Sequence, residues 1–179
     1  MNKLYIITGP AGVGKSTISY EIGKKLAKSV VIEGDTIYNF FVGGRIKPWY
    51  PDAPLNLFWS NCIMLIKSYL ENGYDVVFNY IIKNEELEKL KKEFKDYDLS
   101  FTCLLVDEKT IMERDLLRPE DCRMHERSLI LLKEFIDCNY DTTYILDSSN
   151  LTIDETVEKI LNKLLFNKLL MLEKNKSFL

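Results

Sequence analysis

The sequence predicts an α/β protein: a parallel sheet covered by helices on both faces. Three observations carry this. Short apolar runs rich in β-branched and aromatic residues recur five times, at 4–8, 29–33, 75–80, 99–106 and 142–146. Amphipathic helical patterns lie between them, and strand–helix alternation is the signature of a parallel sheet. The runs are apolar almost throughout, as suits strands buried on both faces. A length of 179 residues fits one domain over 1–179.

In chain order, "LYIIT" (4–8) opens the sheet and stops at a glycine cluster. Residues 15–28 then place Ile18, Ile22 and Leu26 on one stripe, with Lys24, Lys25 and Lys28 outside it. "SVVIE" (29–33) is the second strand and "DVVFNY" (75–80) the third. Residues 85–95 form a helix with Asn84 as its expected N-cap. Leu87, Leu90 and Phe94 make its apolar stripe, with Glu85 and Glu86 early and Lys91, Lys92 and Lys95 late, the charge order that suits the helix dipole. "LSFTCLLV" (99–106) and "TTYIL" (142–146) complete the strands. Thr152 and Glu155 have capping-box spacing, followed at helical spacing by Val157, Ile160, Leu161, Leu164 and Leu165. Two segments are irregular: "FVGGRIKPWYPDAP" (41–54) and the polar "LRPEDCRMHER" (117–127). Both are expected as mobile loops over a site. The tail after Phe166 carries no recognisable chemistry.

Composition narrows the function. Hydrophobic residues are 46%, charged residues 28%, and the formal net charge is −3. That balance argues against a protein that wraps nucleic acid through an excess of Lys and Arg. The four cysteines, Cys62, Cys103, Cys122 and Cys138, form no C-x-x-C pair, and His125 is the one histidine. A structural zinc is not expected; the cysteines read as reduced and mostly buried. The N-terminus enters the first strand almost at once and no apolar stretch is long enough to cross a membrane, so the expected location is cytoplasmic. Oligomeric state is not legible.

The chemistry begins at "GPAGVGKST". Gly9, Pro10, Ala11, Gly12, Val13, Gly14, Lys15 and Ser16 fit G-x-x-x-x-G-K-[ST], between a strand and an amphipathic helix. Glycines let backbone N–H groups face phosphate oxygens, and the helix N-terminus adds a favourable dipole. Lys15 is expected on the β- and γ-phosphates, Ser16 on Mg²⁺ and Thr17 near the α-phosphate. The cofactors implied are ATP and Mg²⁺.

With this loop, "VIEGDTI" after the first helix, "ERDLLRPED", and the ending "YILDSSNLTIDETVEKI", nearly the whole chain resembles small P-loop kinases of the nucleoside-monophosphate, shikimate and gluconate type. The resemblance implies a five-stranded parallel sheet of order 2-3-1-4-5, an acceptor-side region at about 35–72 and an arginine-bearing lid at about 117–127. It implies that Asp35, past the second strand, contacts the acceptor or the metal. A carboxylate there can orient a hydroxyl and take its proton; it could equally cap a helix starting at Thr36. Glu33 reads as a solvated strand end.

Arg114 and Arg118 are four apart, as on one helix face. Arg118-Pro119 resembles the Arg-Pro of shikimate-kinase lids, which implies that Arg118 closes on the transferring phosphate and Arg114 lies against the adenine. A surface pattern pairing with Asp115, Glu120 and Glu126 is the alternative. Arg123 and Arg127 could move with the lid. The third strand ends in Asn79 where many P-loop enzymes carry Asp, and the D-G-x-P-R and triple-glycine motifs of adenylate and shikimate kinases are missing. Asn79 can still meet a metal-bound water or the acceptor. Trp49, Tyr50 and Arg45 could line an acceptor pocket; Phe58 and Trp59 read as packing. His125 reads as solvated.

The expectation is an ATP-dependent phosphotransferase acting on a hydroxyl of a small molecule such as a sugar acid, metabolite, nucleoside or drug. The alternative is a nucleotide-binding regulatory module without a small acceptor.

Overall fold

The computed structural model describes residues 2–120 and 123–162. Five strands, β1 (Lys3–Thr8), β2 (Ser29–Glu33), β3 (Asp75–Asn79), β4 (Asp98–Leu105) and β5 (Ile145–Asp147), form one sheet of order β2-β3-β1-β4-β5. Every pairing is parallel. The crossovers are α1 (Lys15–Lys25), α2 (Gly34–Tyr38), α3 (Leu55–Glu71), α4 (Asn84–Glu93), α5 (Glu108–Leu116) and α6 (Glu126–Asp137). A seventh helix, α7, runs from 153 through 162.

Two apolar layers flank the sheet. Ile18 and Ile22 of α1 meet Tyr5, Ile7, Val77 and Leu104 on one face, and α7 joins them through Val157 and Ile160. On the other face α3, α4 and α6 cover Leu4, Ile6, Val76, Phe78, Phe101 and Cys103. Alternate residues of β1 thus serve opposite layers, which is why its sequence is apolar at every position.

Several boundaries depart from the sequence reading for local reasons. The segment at 142–144 is a 3-10 turn, not strand. Asp141 accepts from the N–H and the hydroxyl of Thr143, both at 2.8 Å, and draws the chain into a turn before β5 begins. Asn84 is the first residue of α4 rather than its cap. Lys83 holds the cap position, its N–H donating to Glu86, while Asn84 donates to the Cys138 carbonyl. The expected box at Thr152 does form: its N–H donates to Glu155 (2.8 Å), whose own N–H donates back to the Thr152 hydroxyl (3.2 Å). Leu164 and Leu165, the tail after Phe166 and Cys122 lie outside the described residues. Cys62 and Cys103 are buried.

Helices α3 and α6 are additions to the sequence reading. In α3 the buried residues Phe58, Cys62, Ile66 and Leu70 fall at strict four-residue spacing. The remaining positions are also rich in apolar residues, so the stripe stands out poorly.

The register aligns the carboxyl ends of the strands, where open α/β sheets bind ligands. Glu33 lies opposite Asn79, Asn79 opposite Ile7, and Thr8 opposite Cys103. Everything the sequence singles out as chemical leaves the sheet at this edge.

Candidate active site

The glycine-rich loop turns directly out of β1. Gly9, Gly12 and Gly14 all have positive φ, at 140°, 91° and 96°. At Gly9 a side chain is excluded twice over: by φ, and because a Cβ would stand 2.3 Å from the Leu104 carbonyl oxygen of β4. Three loop carbonyls are turned onto cations. Lys15 Nζ donates to Gly9 and Pro10, each at 3.0 Å, and Arg114 Nη1 donates to Val13 at 2.9 Å. Committing carbonyls in this way is what lets successive N–H groups of such a loop face a common anion.

Lys15 as a residue is half-exposed, but its ammonium is withdrawn from water. That desolvation lowers its pKa to about 8. Asp35 acts in the opposite sense, and Arg118 adds to the lowering. Asp35 and Arg118 thus both bear on the Lys15 ammonium, in opposite senses. Ser16 and Thr17 are exposed on the first turn of α1.

Asp35 is exposed on α2. The helix begins at Gly34 with Glu33 in the cap position, so Asp35 does not cap a helix from Thr36. Its place is set by the residue before it. A Cβ on Gly34 would lie 2.5 Å from the Tyr80 ring, so glycine lets α2 seat directly on the end of β3. Asn79, the last residue of β3, is 3% exposed, and its Nδ2 has no partner among the described residues. A buried amide with an unmet donor is costly unless a ligand meets it.

The segment expected as a lid starts where α5 ends. Arg114 is on the helix; Arg118 lies past the C-cap Leu117, so the two do not share one helical face. Asp115, a residue sequence reasoning considered only as an ion-pair partner, organises this region. It is 2% exposed, lies 3.6 Å from Arg118, and accepts from the N–H groups of Met124 (3.0 Å) and His125 (2.7 Å). Burial pushes its carboxyl pKa up, but those N–H groups and Arg118 outweigh it and hold the group low. One carboxylate thus clasps both ends of the loop. His125 is held there with φ of 47°, a conformation rare for non-glycine residues, and its side chain is exposed as expected. Arg123 Nε donates to the Arg118 carbonyl at 3.1 Å, tying a second arginine to the same turn.

Two cavities open beside these groups. One, of about 250 Å³, is lined by Gly14, Thr17, Arg114, Ser148, Leu151 and Thr156. Its rim is fixed where Ser148 N–H donates to the β4 end at Leu105 (2.9 Å) and Asp107 N–H to Ser149 (2.8 Å). The other, of about 260 Å³, lies just past the end of β3, where Tyr80 and Ile81 line it. Trp49, Trp59 and Tyr80 line it, so Trp59 is a wall as well as packing; Phe58 is fully buried. Arg45 is exposed, donates to Asn39 at 2.7 Å, and is not among the residues lining this cavity. Tyr50 is exposed in the same loop.

Among the described residues, no helix is long and apolar enough to cross a membrane. No protein-family model matches the sequence, and no curated protein matches it. Solved structures do. A sugar kinase from Janibacter sp. HTCC2649 superposes with a TM-score of 0.68 at 15% identity, covering 92% of this chain and 95% of that one. A gluconokinase from Sinorhizobium meliloti 1021 gives 0.63 at 20% identity, covering 98% and 96%. A thymidylate kinase from Candida albicans gives 0.61 at 17% identity, covering 93% and 92%. Sheet order, loop position and these superpositions agree: the chain has the fold of the small P-loop kinases.

Proposed function

We propose that the protein is an ATP-dependent phosphotransferase acting on a hydroxyl of a small molecule, built as a single domain. The observation that carries this is the glycine-rich loop whose carbonyls hold Lys15 and receive Arg114 from the helix that leads to Arg118, with Asp35 just past the end of β2. A nucleotide-binding module needs the loop and its lysine. A hydrolysing module can also use an added arginine; the feature that suits an acceptor hydroxyl is the exposed carboxylate of Asp35 on α2, just past the end of β2.

The loop 9–14 and Lys15 hold the phosphates, and Arg114 and Thr17 lie on the cavity that suits the adenine end. Asp35 orients the acceptor hydroxyl and takes its proton as the oxygen bonds to phosphorus. Arg118, held by Asp115, faces the charge on the transferring group, with Arg123 bound to the same turn. Ser16, exposed on the first helical turn, and the amide of Asn79 are the residues that would hold Mg²⁺, directly and through water. That ion would neutralise charge on the β- and γ-phosphates. The hydroxyl at Ser16 fits such an oxygen-seeking cation, whereas the unmet Nδ2 of Asn79 is a donor and suits an acceptor oxygen of a ligand.

The test is a phosphorylation screen with ATP, Mg²⁺ and a library of hydroxylated metabolites, with Lys15→Ala as control. Transfer to at least one compound, reduced about 10³-fold or more in the variant, is the expected result. Phosphate release that no compound alters, or a Lys15→Ala protein transferring at the parent rate, would defeat the reading.

A further inference from the structure

The cavity at the end of β3 has walls that select among acceptors. It is joined to the site by Tyr80, whose ring touches Gly34 and whose hydroxyl feels the charge of Asp35. Its apolar surfaces are Trp49 from the 41–54 loop, Trp59 from α3 and Tyr80 itself, with Trp59 and Tyr80 edge to face at 5.6 Å between ring centroids. Flat aromatic walls of this kind favour a ring face over a flexible chain.

The charged residues of the lining cancel. Lys83 and Arg127 bring two positive charges, Glu86 and Glu134 two negative ones. Both cations are already engaged by Glu134, Lys83 at 3.0 Å and Arg127 at 3.6 Å. Asp35 adds a further negative charge beside Tyr80. A carboxylate or phosphate on the acceptor would enter a space with no surplus positive charge, and its loss of hydration would go uncompensated. Of the two cations of the neighbouring loop, Arg45 is turned to Asn39, and Lys47 lies over the Trp49 ring at 5.3 Å from its centroid, a positive charge that Asp35 offsets in number.

From this we infer that the acceptor is a neutral, ring-bearing alcohol, bound with its ring against Trp49, Trp59 and Tyr80 and its hydroxyl toward Asp35. Sugar acids and nucleotides are selected against by Glu134 and Glu86, which together balance Lys83 and Arg127. The inference rests on the phosphotransferase reading above and narrows it. In the reaction the acceptor oxygen bonds to the γ-phosphorus, the bond to the β-bridging oxygen breaks, ADP leaves, and the hydroxyl proton passes to Asp35.

Matched pairs test it: a hexose against its hexonate, uridine against uridine 5′-monophosphate, and benzyl alcohol derivatives against their ring-carboxylated counterparts. Transfer from ATP and quenching of tryptophan fluorescence are both read. The neutral member of a pair is expected to be favoured at least tenfold in kcat/KM, and Trp59→Leu to raise its KM about tenfold while ATP affinity holds. Glu134→Gln is expected to raise kcat/KM for the acidic members about threefold or more, a gain that misfolding cannot imitate. Equal or better use of the acids by the parent protein, with ADP formed, keeps the kinase and overturns the neutral acceptor. Tryptophan fluorescence that no neutral compound alters also overturns it. Failure to bind ATP strikes instead at the phosphotransferase reading.

Discussion

The two sides of the cleft are built from different material. The side holding the glycine-rich loop is main chain: three glycines at positive φ, three carbonyls committed to cations, and one helix start. The opposite side is made of side chains from a loop, a strand end and three helices, with aromatic walls and cancelling charges. Main-chain geometry can recognise what every nucleoside triphosphate shares. Side chains recruited from distant positions can be exchanged one at a time, so they suit whatever differs between acceptors. Breaking each side should therefore give different signatures.

The largest effect is expected where the two sides meet. Asp35→Asn keeps the shape of the side chain but removes the base, and transfer should fall by about 10²–10⁴-fold while ATP affinity stays near that of the parent. Single-turnover kinetics beside nucleotide titration separate the two quantities. If they fall together, Asp35 shapes the loop rather than the chemistry. Next comes the donor side alone. In Gly9→Ala the new Cβ, 2.3 Å from the Leu104 oxygen, and the φ of 140° oppose each other's relief. A loss of about 3 kcal/mol follows, on the order of 10 °C in Tm. A parent-like melting curve would show that β1 and β4 can move apart there at little cost.

The lid is intermediate in kind, a side-chain carboxylate reading main-chain N–H groups. Asp115→Ala should cost about 2 kcal/mol through two lost charge-assisted hydrogen bonds. It should also expose the 117–124 segment to protease, and Asp115→Asn should recover part of the loss. Cleavage in that segment at the parent rate in both variants would remove Asp115 from its role as a clasp.

Legibility in the sequence followed the same division. The glycine-rich loop is contiguous, and its glycines and lysine sit at fixed offsets because consecutive backbone units do the work. Asp35 was within reach because it directly follows a strand end. Asp115 carried no signal, since its partners at 124 and 125 are N–H groups that every residue there would offer. The cavity at the end of β3 was legible only in part: Trp49 was singled out, but Tyr50 and Arg45 do not line it, and its other walls escaped notice for a related reason. Trp49, Trp59, Tyr80 and Glu134 are dispersed along the chain, and only the crossovers α3 and α6 bring them together. Trp59 read as packing because its ring does pack, against Phe58 and Tyr80. The error at 142–144 has the opposite sense: a β-branched run was outbid locally by one aspartate side chain.

The smallest expected effect separates the two sides by pH. Withdrawal from water lowers the Lys15 pKa to about 8. Below that value the ammonium is charged and attracts phosphate; above it the amine is neutral. Bound phosphates favour the charged form, so they raise the pKa and draw a proton in. ATP affinity should then be flat up to about pH 7, fall by about half at pH 8, and be about tenfold weaker at pH 9 than at pH 7. Calorimetry in buffers of different ionisation enthalpy would register the proton uptake above pH 8. Lys15→Arg, charged throughout this range, should flatten the profile even if it binds less tightly. Across the cleft, a neutral acceptor's own affinity should show no such fall, because its aromatic walls do not titrate there. A parent protein whose ATP affinity held constant to pH 9 would mean that the Lys15 ammonium keeps its proton unaided, and that its enclosure between Gly9 and Pro10 does not persist in solution.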